Sequence, residues 1–176
     1  YHEALLSLVG QILHKIQFSF NQSHLDELDD ETYDDDNETE WQHFLRQCLE
    51  TVAKVSDLLP SETFRLVVST QNLEYLDLYL GIEQFVVVEG LTRRLMIVAE
   101  NECRKLHCSL RDLSSMLQAL GRLAEHFIAD RFMENFPDAF MLIGKLVDVI
   151  SYGSRVRLYE VTSTVSNVLQ ADFVEV

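Results

Sequence analysis

The strongest constraint on the fold is a helical repeat of apolar residues in the middle of the chain. Between Glu100 and Ile128 the apolar side chains recur alternately four and three positions apart, at Leu106, Leu110, Leu113, Leu117, Leu120, Ala124 and Phe127. This is the spacing of one buried face of an α-helix, which completes a turn about every 3.6 residues. Only two prolines and six glycines occur in 176 residues, so few positions interrupt such patterns. The sequence therefore predicts an all-α fold.

The same spacing predicts helices on the amino-terminal side. A first helix is expected at 3–18. A second is expected to end at Pro60, which opens a short helix at 61–68. Thr39 and Gln42 are placed as a capping box, in which each side chain bonds the backbone amide of the other. The second helix should therefore begin there.

The remaining segments are less uniform. A further apolar stripe, expected to be buried, consists of Phe136, Phe140, Ile143, Val147 and Ile150. Gly153 is expected to end its helix. Residues 72–98 favour helix, loop, helix, with a hairpin of 85–88 and 95–98 as the alternative. Residues 155–176 contain an alternating run typical of a strand and a spacing typical of a short helix, and both remain open.

The architecture expected from these helices is a stack of hairpins. Helices joined mostly by short turns, with wide apolar faces, favour stacked antiparallel hairpins over a closed bundle. Helix pairs recur at about 40 residues, the period of HEAT and armadillo arrays. The sequence predicts a HEAT-repeat-like α-solenoid, with residues 1–176 as a single segment. Because the helical pattern is already under way at Tyr1 and an apolar run reaches Val176, an interior piece of a longer solenoid is expected.

The chain is acidic, and the acidity is local. The formal net charge is -15, yet residues 26–40 alone carry ten carboxylates and no lysine or arginine. Such charge repels nucleic acid and anionic membrane surfaces, so neither is an expected ligand. The block is expected to form an acidic loop between two helices at about 21–38. Its role is either contact with a basic partner or plain solvation.

The acidic block does not carry a calcium-binding motif. Counting from Asp29, the twelfth position is Glu40, as an EF-hand requires, but the sixth is Asp34 where the loop demands glycine. Cys103 and His107 lie one helical turn apart, as two zinc ligands would, yet no paired ligands at zinc-binding spacing accompany them. The motifs GxSxG, GxxxxGK and GxGxxG are also absent. We therefore expect no metal, no cofactor and no catalytic residue.

The middle third of the chain is comparatively basic. Its cationic residues are Arg93, Arg94, Arg104, Lys105, Arg111, Arg122 and Arg131. They are consistent with a solvated helix face, with an acidic partner, or with pairing to the acidic block of the chain itself. The pattern does not separate these alternatives.

Two runs of the sequence resemble the importin-beta superfamily of nuclear transport receptors. The first is LLSLVGQILHKIQF, an acidic spacer and EWQHFLRQCLETVAKVSDLLP. In it, Trp41, Phe44, Leu45 and Arg46 match a family helix that opens with an aromatic residue, followed by an aromatic residue or leucine beside an arginine. The second is AENECRKLHCSLRDLSSMLQALGRLAEHFI with LVDVISYGSRVRLYEV, which resembles an exportin of actin bound to profilin. The resemblance covers nearly the whole chain.

The resemblance implies a HEAT-repeat receptor that works by binding. Such a receptor loads protein cargo together with Ran-GTP in the nucleus and releases both in the cytoplasm after Ran hydrolyses the nucleotide. The receptor itself catalyses no reaction, and its passage through the nuclear pore implies contacts with nucleoporins. The implied cargo is the actin-profilin complex.

Six residues of the acidic block are candidates for contact with a partner. They are Asp29, Asp30, Glu31, Asp34, Asp35 and Asp36. An acidic patch on a loop would steer basic partners and make their association sensitive to salt. The alternative function is a HEAT-type scaffold or adaptor that shares the architecture without Ran dependence.

Overall fold

The computed structural model describes residues 1–33, 38–70 and 100–170, which are almost entirely helical. The helices are α1 (His2–Lys15), α2 (Phe18–Asp30), α3 (Glu40–Ser56), α4 (Pro60–Thr70), α5 (Glu100–Leu123), α6 (Asp130–Glu134), α7 (Phe136–Arg155) and α8 (Leu158–Leu169). A 3₁₀ turn at Ala124–Phe127 follows α5, and strands β1 (Thr32–Tyr33) and β2 (Glu38–Thr39) form a short antiparallel ladder. The predicted all-α fold is confirmed. The predictions for residues 72–98 fall outside the described residues.

Helix α5 lies between two buried clusters and contacts α2, α3, α4 and α8. On one side, residues of α1 to α4 pack with Leu120, Leu123 and Phe127. On the other side, Leu106, Leu110 and Leu113 pack with Tyr152, Val156, Val161 and Val165 of the carboxy-terminal segment. The predicted apolar seam of α5 is therefore shared between two cores. Apolar residues spaced alternately four and three positions apart drift by about 20° per heptad around an ideal helix. The two ends of the seam therefore face different neighbours.

The predicted acidic loop at 21–38 is wrong over its first half, because α2 continues to Asp30. Asn21 only kinks the helix, with φ -129° and ψ 25°. Its side-chain amide donates to the carbonyl oxygen of His14 across 2.7 Å, which satisfies an acceptor at the end of α1. The buried Leu25 gives α2 an apolar contact with the core. Tertiary packing thus makes the acidic stretch helical.

The end of α7 also differs from the prediction. Gly153 lies inside α7, which continues to Arg155. Arg157, in the left-handed conformation with φ 52° and ψ 53°, separates α7 from α8. Of the two alternatives for the terminal segment, the helix is observed up to Leu169.

The predicted burial of the α7 stripe is wrong. Phe136, Phe140, Ile143, Val147 and Ile150 are each at least 48% exposed. Helix α7 instead buries its opposite face, which includes Ala139, Leu142, Val149 and Tyr152. The helix is apolar on both sides, and periodicity alone does not say which side meets the core. No helix within the described ranges is both long and apolar enough to cross a membrane.

Candidate partner-binding surface

The acidic block surrounds the junction between α2 and α3. The β1–β2 ladder closes this junction by pairing Tyr33 with Glu38. Next to the ladder, the amide of Glu40 donates to the carbonyl oxygen of Glu31 across 2.9 Å. Residues 34–37, which include three of the six candidates, lie outside the described residues. The described backbone on both sides of them is therefore held in place by hydrogen bonds.

Thr39 joins the start of α3 to the end of α2. Its hydroxyl oxygen accepts a hydrogen bond from the amide of Gln42 at 3.2 Å, and the Gln42 side chain accepts one from the Thr39 amide at 3.0 Å. The predicted capping box is confirmed. The Thr39 hydroxyl also donates to Asp29 Oδ1 at 3.0 Å. One side chain thus caps α3 and ties it to the acidic end of α2.

Asp29 is paired with a buried arginine of α5. Its Oδ2 lies 2.9 Å from Arg111 Nη2, and the two side chains are 24% and 7% exposed. The guanidinium also lies 3.8 Å from the ring centroid of Phe18 and 5.8 Å from that of Trp41. Removing a cation from water is costly unless a carboxylate and aromatic faces compensate it. Of the alternatives for Arg111, the structure therefore shows pairing with the acidic block itself.

Asp112, the next residue of α5, caps the other end of α2. Its carboxylate accepts hydrogen bonds from the amides of Phe18 and Ser19 and from the Ser19 hydroxyl. Gln17, at the local N-cap position, makes no side-chain capping bond. Burial raises the pKa of Asp112, while the bonds from Ser19 and Phe18 and the charge of Arg111 act in the opposite direction. Consecutive residues of α5 therefore position both ends of α2.

The capping role of Asp112 was missed at the level of the sequence, where pairing with the acidic block was one of three alternatives for Arg111. The signal available in the sequence was the presence of serines on both sides of these two residues. Ser109, Ser114 and Ser115 are all buried in the structure. Serine side chains are small, so neighbouring helices can pack closely against the surface of α5 outside its leucine seam. A charged residue among them is better explained by an internal partner than by a solvated face.

The six candidates are not equivalent in the structure. Asp29 is engaged in the contacts described above, whereas Asp30 and Glu31 are exposed, as is the neighbouring Glu27. Asp26 is partly buried, and burial raises the pKa of its carboxyl group despite the opposing charge of Arg111. Among the described residues, the acidic surface open to solvent is therefore formed by Glu27, Asp30 and Glu31.

A cleft of about 290 Å³ lies between α3 and α5, and Arg111, the partner of Asp29, is among its lining residues. Trp41, Leu45 and Leu49 contribute apolar lining, and Arg46 and Arg122 contribute charge. Arg46 already pairs with Glu38 across 3.0 Å. The cleft combines an apolar floor with partly neutralised cations, a composition that suits contact with a protein chain.

The cysteine and the histidine of α5 that lie one helical turn apart are buried. Cys103 is fully buried and His107 is 9% exposed. Burial, assisted by the charge of Arg111, lowers the pKa of His107 to about 4. In residues 1–33, 38–70 and 100–170, no group of three or more histidine, cysteine or carboxylate side chains could hold a metal ion.

Comparison with known proteins agrees with the resemblance inferred from the sequence. The chain is similar to Exportin-6 of Danio rerio, with 54% identity over 176 residues, to Exportin-6 of Homo sapiens, with 53% over 178, and to Exportin-6-A of Xenopus laevis, with 51% over 176. Each alignment includes 100% of this chain but only 15% or 16% of the relative, so the chain spans about a sixth of the length of these relatives. No family model and no solved structure matches the chain. The predicted resemblance to a nuclear transport receptor is confirmed, since the chain is similar over its whole length to a segment of the Exportin-6 proteins.

Proposed function

We propose that this chain is an interior segment of a nuclear export receptor, which acts by binding proteins and not by catalysis. The observation that carries the proposal is the similarity of the whole chain to Exportin-6 proteins at 51% to 54% identity. The helical architecture supports it, because helices stacked on shared apolar clusters form the extended binding surfaces of solenoid proteins.

The receptor containing this segment binds Ran-GTP and protein cargo in the nucleus and releases both in the cytoplasm. Its cargo is actin bound to profilin, and it contacts nucleoporins during passage through the pore. These partners are supported by the resemblance of both halves of the sequence to nuclear transport receptors. The relatives' names support export from the nucleus in general.

The exposed part of the acidic block contacts a basic surface of a partner. Asp30 and Glu31 face solvent, and Asp34, Asp35 and Asp36 continue the same acidic run. Asp29 has a different role, because its carboxylate binds Arg111 and Thr39. We assign to Asp29 the positioning of the surface rather than direct contact.

A pull-down with the full-length receptor tests the proposed function. Immobilised receptor is incubated with actin and profilin together with Ran locked in its GTP state or loaded with GDP. Retention of actin and profilin only with the GTP form supports an export receptor. Equal retention of actin and profilin with the GTP and GDP forms of Ran favours the alternative, a HEAT-type scaffold without Ran dependence.

A further inference from the structure

The cleft between α3 and α5 has an apolar floor. Four of its lining side chains are large, apolar and at most 6% exposed, namely Trp41, Leu45, Leu49 and Leu110. Its volume of about 290 Å³ is close to the lower end of the roughly 300–1,000 Å³ that is typical of ligand pockets, so it has room for a few side chains and not for a whole helix. A bulky apolar side chain that enters the cleft leaves water, which favours binding.

Amide and hydroxyl side chains complete the lining of the cleft. The amide of Gln118, which is exposed, donates a long hydrogen bond of 3.4 Å to the hydroxyl of Ser114. Such groups can exchange hydrogen bonds with the backbone of a bound peptide, whereas a wholly apolar ligand such as a lipid tail would remove them from water without a partner. The lining therefore suits a peptide segment better than a lipid.

Arg122 supplies an unbalanced positive charge to the cleft. The lining also contains Arg46, which pairs with Glu38 at 3.0 Å, and the buried Arg111, which pairs with Asp29 at 2.9 Å. Arg122 is exposed and forms no ion pair with any residue in the described ranges. Three arginines and one glutamate give the lining a formal charge of +2, in a chain whose net charge is -15. The cleft is therefore locally positive and complements a carboxylate.

We propose that the cleft binds a peptide segment of a protein partner in which an acidic residue lies next to a bulky apolar residue. The apolar side chain packs on Trp41 and Leu45, and the neighbouring carboxylate pairs with Arg122. The inference goes beyond the proposed function, in which the acidic block contacts a basic surface, because the two sites take partner segments of opposite charge. Nucleic acid, a polyanion without apolar side chains, is repelled by the net charge of -15.

Photo-crosslinking of the full-length receptor with two pools of short peptides tests the proposal. Both pools carry a central photo-leucine and randomised flanking positions, but the photo-leucine is followed by glutamate in one pool and by lysine in the other. Mass spectrometry locates the labelled receptor residues. We expect the glutamate pool to label the cleft, at residues such as Leu45 and Gln118, several-fold more than the lysine pool does. Equal labelling by the two pools would overturn the proposal. So would the absence of labelling in the cleft, which is the result expected if another part of the receptor fills it.

Substitution of Arg122 tests the charge preference directly. Arg122→Ala should lower labelling by the glutamate pool by about twofold to fivefold, the effect of losing one solvent-exposed ion pair, and should leave labelling by the lysine pool no lower. Arg104→Ala is the matched control, since Arg104 is also an exposed arginine of α5 but does not line the cleft. Undiminished labelling in Arg122→Ala, or an equal loss in Arg104→Ala, contradicts the proposal.

The salt dependence of labelling tests the same charge preference without a substitution. In the unmodified receptor, added salt should reduce the excess labelling by the glutamate pool, because salt screens the charge of an exposed arginine. An excess that does not change with ionic strength contradicts the pairing with Arg122. These measurements use neither Ran nor actin and profilin, so failure here is distinguishable from failure of the proposed function.

Discussion

The carboxylate of Asp112 accepts hydrogen bonds from the amide and the hydroxyl of Ser19, and so caps a helix that begins more than ninety residues earlier in the chain. Helix α2 has no capping side chain of its own, and it carries four of the seven described carboxylates of the acidic block at 26–40. Its orientation therefore depends on α5, which supplies both the cap and the buried Arg111. The acidic surface and α5 form one structural unit.

Removal of the Asp112 carboxylate should destabilise the fold, although it removes no charge from the exposed acidic surface. We expect Asp112→Ala to lower the free energy of unfolding by about 1–3 kcal/mol, because amide donors at the start of α2 lose their acceptor. Asp112→Asn retains one acceptor oxygen and should lower the free energy of unfolding by a smaller amount. Urea denaturation followed by circular dichroism measures both. Equal stability of the alanine variant and the unmodified chain would show that the cap contributes nothing.

Arg111 should matter more to stability than an ordinary surface arginine. Arg111→Met is expected to lower the free energy of unfolding by about 2–4 kcal/mol, because it removes the buried partner of Asp29 and the stacking on Phe18. Arg111→Lys keeps the charge but loses the planar stacking, so its free energy of unfolding should lie between those of the unmodified chain and Arg111→Met.

A double-mutant cycle with Asp29→Asn isolates the ion pair. We expect the combined loss from Arg111→Met and Asp29→Asn to be smaller than the sum of the single losses, because both remove the same contact. The losses are measured from urea denaturation of the four proteins. Strict additivity would mean that the 2.9 Å contact carries no coupling energy.

His107 should make the fold less stable in mild acid. Its pKa is lowered from 6.5 to about 4, chiefly by burial and next by the charge of Arg111, with Asp29 opposing and Arg104 adding to the shift. The unfolded chain therefore binds a proton below pH 6.5 that the folded chain does not bind until about pH 4, so stability falls across this window as pH falls.

The measurement for His107 is the difference between the unmodified chain and His107→Gln. Between pH 7 and pH 4 the unmodified chain should lose at most about 3 kcal/mol more than the variant. The comparison is needed because Asp112, with its raised pKa, changes stability in the opposite direction as pH falls. Parallel pH profiles for the two proteins would rule out this contribution of His107.

Neutralising the exposed acidic residues should slow partner association and leave the helices intact. The variant carries Asp30→Asn, Glu31→Gln, Asp34→Asn, Asp35→Asn and Asp36→Asn in the full-length receptor, with Asp29 retained. At low salt we expect an association rate lower by about tenfold and a weaker dependence on ionic strength, measured by stopped flow.

The control for this variant neutralises acidic residues elsewhere on the surface. Glu125→Gln and Glu134→Gln alter exposed carboxylates that lie outside the acidic block. They should leave the association rate close to that of the unmodified receptor. If the acidic-block variant also keeps its rate and salt dependence, the block serves solvation only.

The cysteines should be unreactive in the native chain. Burial raises the pKa of Cys48 to about 11 and that of Cys108 to about 12, and Cys103 is fully buried. Only the thiolate reacts with iodoacetamide, so alkylation at pH 8 should proceed at the rate of unfolding. Rapid labelling of folded protein, resolved by mass spectrometry for each cysteine, would contradict the buried positions.

The helices whose signals are local could be predicted from the sequence. The start of α3 follows from Thr39 and Gln42, since a capping box is contained in four residues. The extent of α2 could not be predicted in this way. Asp112 holds the beginning of α2 and Arg111 holds its acidic end, and no local pattern reveals contacts that distant in the chain.

The candidate site was predictable in position but not in detail. The concentration of carboxylates indicated the junction between α2 and α3, yet spacing could not distinguish Asp29, which is paired, from Asp30, which is exposed. The same limit applies to α7. Ile143 and Leu142 are adjacent apolar residues, and only the tertiary structure shows that Leu142 is buried and Ile143 is exposed.

The position of α5 between two cores has a mechanical consequence. Cys108 belongs to the cluster around Leu120, and Leu117 packs against the cluster around Leu110, so both clusters rest on the same length of one continuous helix. A hinge normally uses a few loop or helix-terminal residues that absorb backbone rotation. Helix α5 has no such break between Glu100 and Leu123, so the elements packed on its two sides should move together as one stiff unit.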